Sequence, residues 1–118
     1  MPDRLLNIAA RLKSMEGVEQ EIEQHRIRSV VNRAYYAAFL TAREVCEEKG
    51  FQGSGSSHER IVDALLRQRS LTTLGNQLNE IKSLRHKADY NWNRPISPRD
   101  MHTALKKSRK LIDALKAL

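Results

Sequence analysis

Arg85 is the residue that most directly suggests chemistry. In the stretch 74–92, LGNQLNEIKSLRHKADYNW, Leu74, Leu78 and Ile81 recur at helical spacing and mark one apolar stripe. The next position on that stripe is an arginine where the pattern predicts leucine. A guanidinium is costly to bury unless it is paired, faces a groove, or meets a partner chain. His86, Asp89 and Tyr90 fall in the following turn. An arginine grips a phosphate in bidentate fashion, and an imidazole moves protons near neutral pH. The same residues also have a plain structural reading, in which Arg85 and Asp89 are an i, i+4 pair that neutralises a half-buried charge. His86 points about 100° around the helix from Arg85, so it reaches the same groove only if a second chain brings it there.

The elements that hold these residues follow from periodicity. Residues 3–15 carry Leu5, Ile8, Ala9, Leu12 and Met15 on one face, with Asp3 as N-cap and Gly17 as stop. Residues 18–49 lack Gly and Pro and read as one long helix. Its apolar band is Ile27, Val30, Val31, Ala34, Ala38, Ala42 and Val45, and its alanines permit close helix approach. Arg33 lies on the flank of that band, placed to pair with Asp89 or to line one groove with Arg85. Lys49-Gly50 ends the helix.

The segment GFQGSGSS, 50–57, is a loop and lacks the GxxxxGK[ST] pattern of a phosphate cradle. Ser56 and Glu59 have capping-box spacing for a short helix with Ile61, Val62 and Leu65 inward. His58, just after that cap, is either a structural residue or a further proton carrier. A fourth helix spans about 71–91 and breaks at Asn93-Arg94-Pro95. Ser97-Pro98 opens the last helix, which turns Met101, Leu105, Ser108, Ile112 and Leu115 inward. Trp92 is expected against it. No segment alternates with period two. The expectation is therefore an all-α antiparallel bundle of about five helices, forming one domain over residues 1–118.

The 118 residues carry a net charge of +7, from 21 Lys and Arg against 14 Asp and Glu, which favours nucleic acid, nucleotide or an acidic protein as partner. A soluble basic surface gives the same number. Lys106, Lys107, Arg109 and Lys110 are the densest basic run, a solvated face that is also a non-specific phosphate surface. Cys46 is the single cysteine, which excludes an intrachain disulfide and fits a reducing compartment. His25 and His102 lack partners at ligand spacing, so neither metal nor cofactor is expected. No apolar run approaches the ~20 residues that span a bilayer, and MPDRLLN lacks the core of a signal peptide. A cytoplasmic protein without membrane attachment is the expectation.

The segments RSVVNRAYYAAFLTARE (28–44), SHERIVDAL (57–65) and LRHKADYNW (84–92) together resemble the HEPN superfamily, in particular the small bacterial HEPN proteins. The resemblance runs from about Ile22 to the C-terminus. It implies an all-α bundle that pairs as a two-fold homodimer, and a place in a toxin–antitoxin or defence system. Many such proteins cleave RNA without a metal. Their motif is an arginine, often a polar residue, then a histidine after four to six others. Others are non-catalytic partners of nucleotidyltransferases. Arg85 and His86 fit the first two positions. The histidine would fall at Tyr90, Asn91 or Trp92, and none is histidine. Ala88-Asp89-Tyr90 resembles an ADY ending found in some small HEPN proteins. Metal-free cleavage needs a base for the 2′-hydroxyl, an acid for the leaving oxygen and a cation for the phosphate. A tyrosine with its ordinary pKa near 10 is a poor base. The resemblance thus implies RNA or nucleotide binding, with enzymatic activity open. Arg85, His86 and Tyr90 are the candidate catalytic set, and Arg33, Asp89, Tyr36 and His58 the candidate binding set. Tyr35 and Tyr36 read first as core or interface aromatics whose hydroxyls reach a polar partner, and only second as a stacking platform for substrate.

Overall fold

A computed structural model describes residues 2–13, 20–90 and 95–118. Its spine is α2, Gln20–Lys49, thirty residues long. At 1.5 Å per residue such a helix runs about 45 Å, which matches the 46 Å long dimension of the fold. Every member of the predicted band from Ile27 to Val45 is at most 9% exposed. Burying one valine or isoleucine contributes about 1.5–3 kcal/mol. That outweighs the few tenths of a kcal/mol by which β-branched residues disfavour a helix. Ala34, Ala37, Ala38 and Ala42 are fully buried. They let neighbouring backbones approach α2, which touches every other helix of the bundle.

The helix ends carry their own signals. Gly50 adopts φ +69°, and Phe51 N–H donates to Cys46 O at 2.9 Å, so α2 closes in a left-handed glycine cap. α3 is Ser57–Leu66. It opens with the Ser56 N–H donating to the Glu59 carboxylate at 3.4 Å. α5 is Pro98–Lys116. There Asp100 N–H donates to Ser97 Oγ at 3.1 Å, and Ser97 N–H returns the bond to Asp100 at 3.4 Å. The inward stripe of α5 is as expected, with Met101, Leu105, Ser108, Ile112 and Leu115 all buried.

Several details differ from the sequence expectation. α1 is Pro2–Lys13, and it buries Leu6 and Ala9 while Ile8 is 43% exposed. It packs chiefly on α2, so only the narrow stripe facing that helix is covered. α4 is Thr72–Tyr90, preceded by a 3-10 turn at Arg69–Leu71. Leu74 is half-buried, whereas Leu78 and Ile81 are completely enclosed. Gly75, which the sequence did not single out, lets α3 approach α4. A Cβ there would sit 2.8 Å from Leu66 Cδ2. Asp3 is not the N-cap, because α1 already begins at Pro2 and Asp3 lies within its first turn. The expectations for Leu12, Met15, Gly17, the 91–94 break and Trp92 fall on residues or side chains outside those described. Among the described residues there is no strand, and the buried side chains of all five helices join in one cluster. No helix among them is long and apolar enough to cross a membrane.

Candidate functional site

Where α4 crosses α2, Arg85 leaves the apolar stripe and enters a set of rings. Its Cζ lies 5.7 Å from the Tyr35 ring centroid, 5.5 Å from Tyr36 and 5.8 Å from Tyr90. Each distance is within cation–π range. Its Nη2 donates to the Tyr36 hydroxyl at 3.2 Å. Its Nε lies 2.8 Å from Asp89 Oδ2, one helical turn on. That N–H is not aligned for a hydrogen bond, so the contact is an ion pair by proximity. Among the described residues, Nη1 has no hydrogen-bond partner. The side chain is 17% exposed, withdrawn but reachable.

Asp89 is held from its other side by Asn32, whose Nδ2 lies 3.1 and 3.0 Å from the two carboxylate oxygens. Arg33, expected to pair with Asp89 or to share Arg85's groove, forms no ion pair among the described residues. It lines a hollow with His25, Ser29, Asn32 and Asp89, the carboxylate that Arg85 meets from its other side.

α3 delivers His58 to the same rings. Its Nδ1 shares a hydrogen bond with the Tyr35 hydroxyl, and its ring stacks on Phe39 at 4.4 Å between centroids. Tyr36 stands edge-on to it at 5.9 Å. Burial, then the charges of Arg85 and Lys82, hold the His58 pKa below its ordinary 6.5. Both causes favour the neutral imidazole over the imidazolium. Burial drives the Tyr35 hydroxyl pKa well above the ordinary 10, with Arg85 opposing and Tyr36 adding to the shift. Tyr35 keeps its proton and can donate it to Nδ1, which fixes the remaining imidazole proton on Nε2.

Arg85, Asp89, Tyr36, Tyr90 and His58 thus come together. His86 stays at the margin, exposed and 4.7 Å from the Tyr90 ring. Tyr90 itself is 65% exposed. Two residues were missed. One is Asn32. The other is Arg28, 4% exposed, whose Nη1 donates to the carbonyls of Lys87 and Ala88 at 3.2 and 2.8 Å. Those carbonyls lie in the last described turn of α4. Arg28 caps the helix that carries Arg85. A sequence signal existed in retrospect: His25, Arg28, Asn32 and Tyr36 repeat at helical spacing beside the apolar band.

On the far side of Tyr36 and His58 opens a cleft of about 780 Å³, walled by Phe39, Leu40, Arg43 and Arg60 and by the 50–57 loop. The described residues hold no group of three or more His, Cys, Asp or Glu that could bind a metal ion.

An all-α bundle carrying a caged arginine on the helix after a short third helix defines a class, and the comparisons give that class its name. A family model described as HEPN domain matches residues 4–118, so the chain belongs to the HEPN family. No curated protein and no solved structure matches it.

Proposed function

We propose that this HEPN chain belongs to a toxin–antitoxin or defence system, binds RNA through Arg85, and cleaves it without a metal using the imidazole of His58. The observation that carries the reading is the Arg85 guanidinium, drawn in among three tyrosine rings beside the His58–Tyr35 pair, with Nη1 unpartnered among the described residues. Aromatic neighbours lower the local dielectric, which strengthens the attraction between a guanidinium and a phosphate. The family's motif histidine is absent at Tyr90, and His58 from α3 takes its place. With its proton on Nδ1, donated to a rotated Tyr35 hydroxyl, His58 takes the 2′-hydroxyl proton at Nε2, and the imidazolium so formed passes that proton to the leaving 5′-oxygen as the phosphorus–oxygen bond breaks. Tyr90 and His86, exposed at the end of α4, suit a shared face in a two-fold homodimer, which would double the cationic charge there.

Asp89 favours a second reading. Its carboxylate already neutralises Arg85 at 2.8 Å, as a non-catalytic module partnering a nucleotidyltransferase or another effector would tolerate. Purified protein incubated with total RNA in EDTA separates the two. The catalytic reading expects cleavage that drops by about 10²–10⁴-fold in His58→Gln and fails in Arg85→Gln. RNA left intact by wild type that still binds it would favour the module.

A further inference from the structure

The cleft beyond Tyr36 and the hollow beside Arg33 occupy the same face of α2. His25, Ser29 and Arg33 line the hollow, and Tyr36, Leu40 and Arg43 line the cleft. At 100° per residue these six positions fall within an arc of roughly 80°, and at 1.5 Å per residue they extend over roughly 27 Å. The Arg85–Asp89 pair sits between the two spaces. Asp89 borders the hollow, and Tyr36, which accepts from Arg85, borders the cleft. The site built around Arg85 is therefore the midpoint of a longer groove.

The chemistry of the two ends differs. The hollow, about 490 Å³, is lined mainly by polar groups, with Arg28 and Arg33 as its arginines. The cleft, about 780 Å³, has aromatic and aliphatic walls with Arg43 and Arg60 at its edge. Both volumes are of the size that holds small ligands of nucleotide dimensions. With Arg85 included, five arginines border the groove against the two carboxylates of Asp89 and Glu47, and Arg85 already answers one of these. A polyanion with flat apolar groups along it matches that pattern.

We propose that a single-stranded RNA segment lies along this face of α2, with a phosphate at Arg85, a base in the aromatic cleft and backbone in the Arg33 hollow. This rests on the RNA-binding reading above and deepens it by naming strandedness and length. An A-form duplex keeps its bases stacked inside and has none to offer the cleft, whereas a single strand can splay one out.

The test is fluorescence anisotropy with labelled single-stranded RNA decamer, the matching dinucleotide and the decamer duplex, at several salt concentrations. Proteins are wild type, Arg85→Gln, Arg33→Glu, Arg43→Glu and, as a control for overall charge, the exposed Arg109→Glu on α5. The decamer should bind at least about 10-fold more tightly than the dinucleotide or the duplex. Arg33→Glu and Arg43→Glu should each flatten the salt dependence by about 0.7 in log–log slope, the value for one lost phosphate contact on a single strand. Arg109→Glu should alter it less. Equal affinity for dinucleotide and decamer, with Arg85→Gln alone impaired, would overturn the extended groove and leave the Arg85 site standing. Loss of binding equal in Arg109→Glu and the groove variants would overturn the groove in favour of diffuse attraction. No binding of any RNA by wild type would overturn both readings. Unchanged RNA affinity in Arg33→Glu and Arg43→Glu, with a changed mass by light scattering, would assign the face to a second copy of the chain.

Discussion

Arg28 on α2 and Arg85 on α4 both sit where these helices meet, and both are largely withdrawn from solvent. Their partners separate them. Arg28 gives its Nη1 hydrogen bonds to two backbone carbonyls at the end of α4, which cannot move without unwinding the helix. Arg85 faces aromatic rings, a hydroxyl and one carboxylate, all of them side-chain and none of them backbone partners. Enclosure alone does not tell a structural cation from a working one. What it is enclosed by does.

The comparison breaks most visibly at Arg28. Arg28→Ala removes a charged donor from two carbonyls, one buried and one partly buried, and the expected cost is about 2–4 kcal/mol in chemical denaturation. An unchanged midpoint would remove the distinction. Arg85→Gln should cost less stability, about 1–2 kcal/mol, since it loses one partly buried ion pair, one hydrogen bond and cation–π contacts. Tyr36→Phe removes only the hydroxyl that accepts from Arg85. It should lower stability by about 0.5–1.5 kcal/mol while keeping the ring against the guanidinium.

The smallest effect is a pH dependence. The folded pKa of His58 lies below its ordinary 6.5, so on acidification the unfolded chain takes up the proton first. The stability linked to this group is complete above about pH 6.5. It falls as the pH drops through that value towards the folded pKa, and changes no further below it. Thermal melts between pH 7 and 5 should therefore slope downward for wild type. His58→Gln should flatten that part of the slope, and an identical slope would show that His58 is not the group responsible.

How much of this was legible in the sequence depended on the range of the contact. The α2 band, the α5 stripe, the Gly50 stop and the Ser97-Pro98 start follow from spacings of a few residues. The Arg85–Asp89 pair does too, being one helical turn apart. His58 reaching Tyr35 spans 23 residues, and Arg28 reaching Ala88 spans 60. Those meetings are set by how α2, α3 and α4 cross, which periodicity within one helix does not specify. Arg33 reaches the hollow beside Asp89 without pairing with it, while Asn32, one residue earlier, makes the hydrogen bonds to that carboxylate. Ile8 likewise has the right spacing for burial but lies off the line along which α1 meets α2.

The central claim is that Arg85 is held ready for phosphate and is not merely balanced by Asp89. Affinity for a labelled single-stranded RNA, measured for wild type and for folded Arg85→Gln in the same buffer, tests it directly. The account predicts a loss of at least about 10-fold, consistent with the 1.5–3 kcal/mol typical of a hydrogen bond to a charged group. Equal affinity in the two proteins, with stability lowered in the variant, would make Arg85 a second structural arginine and contradict it.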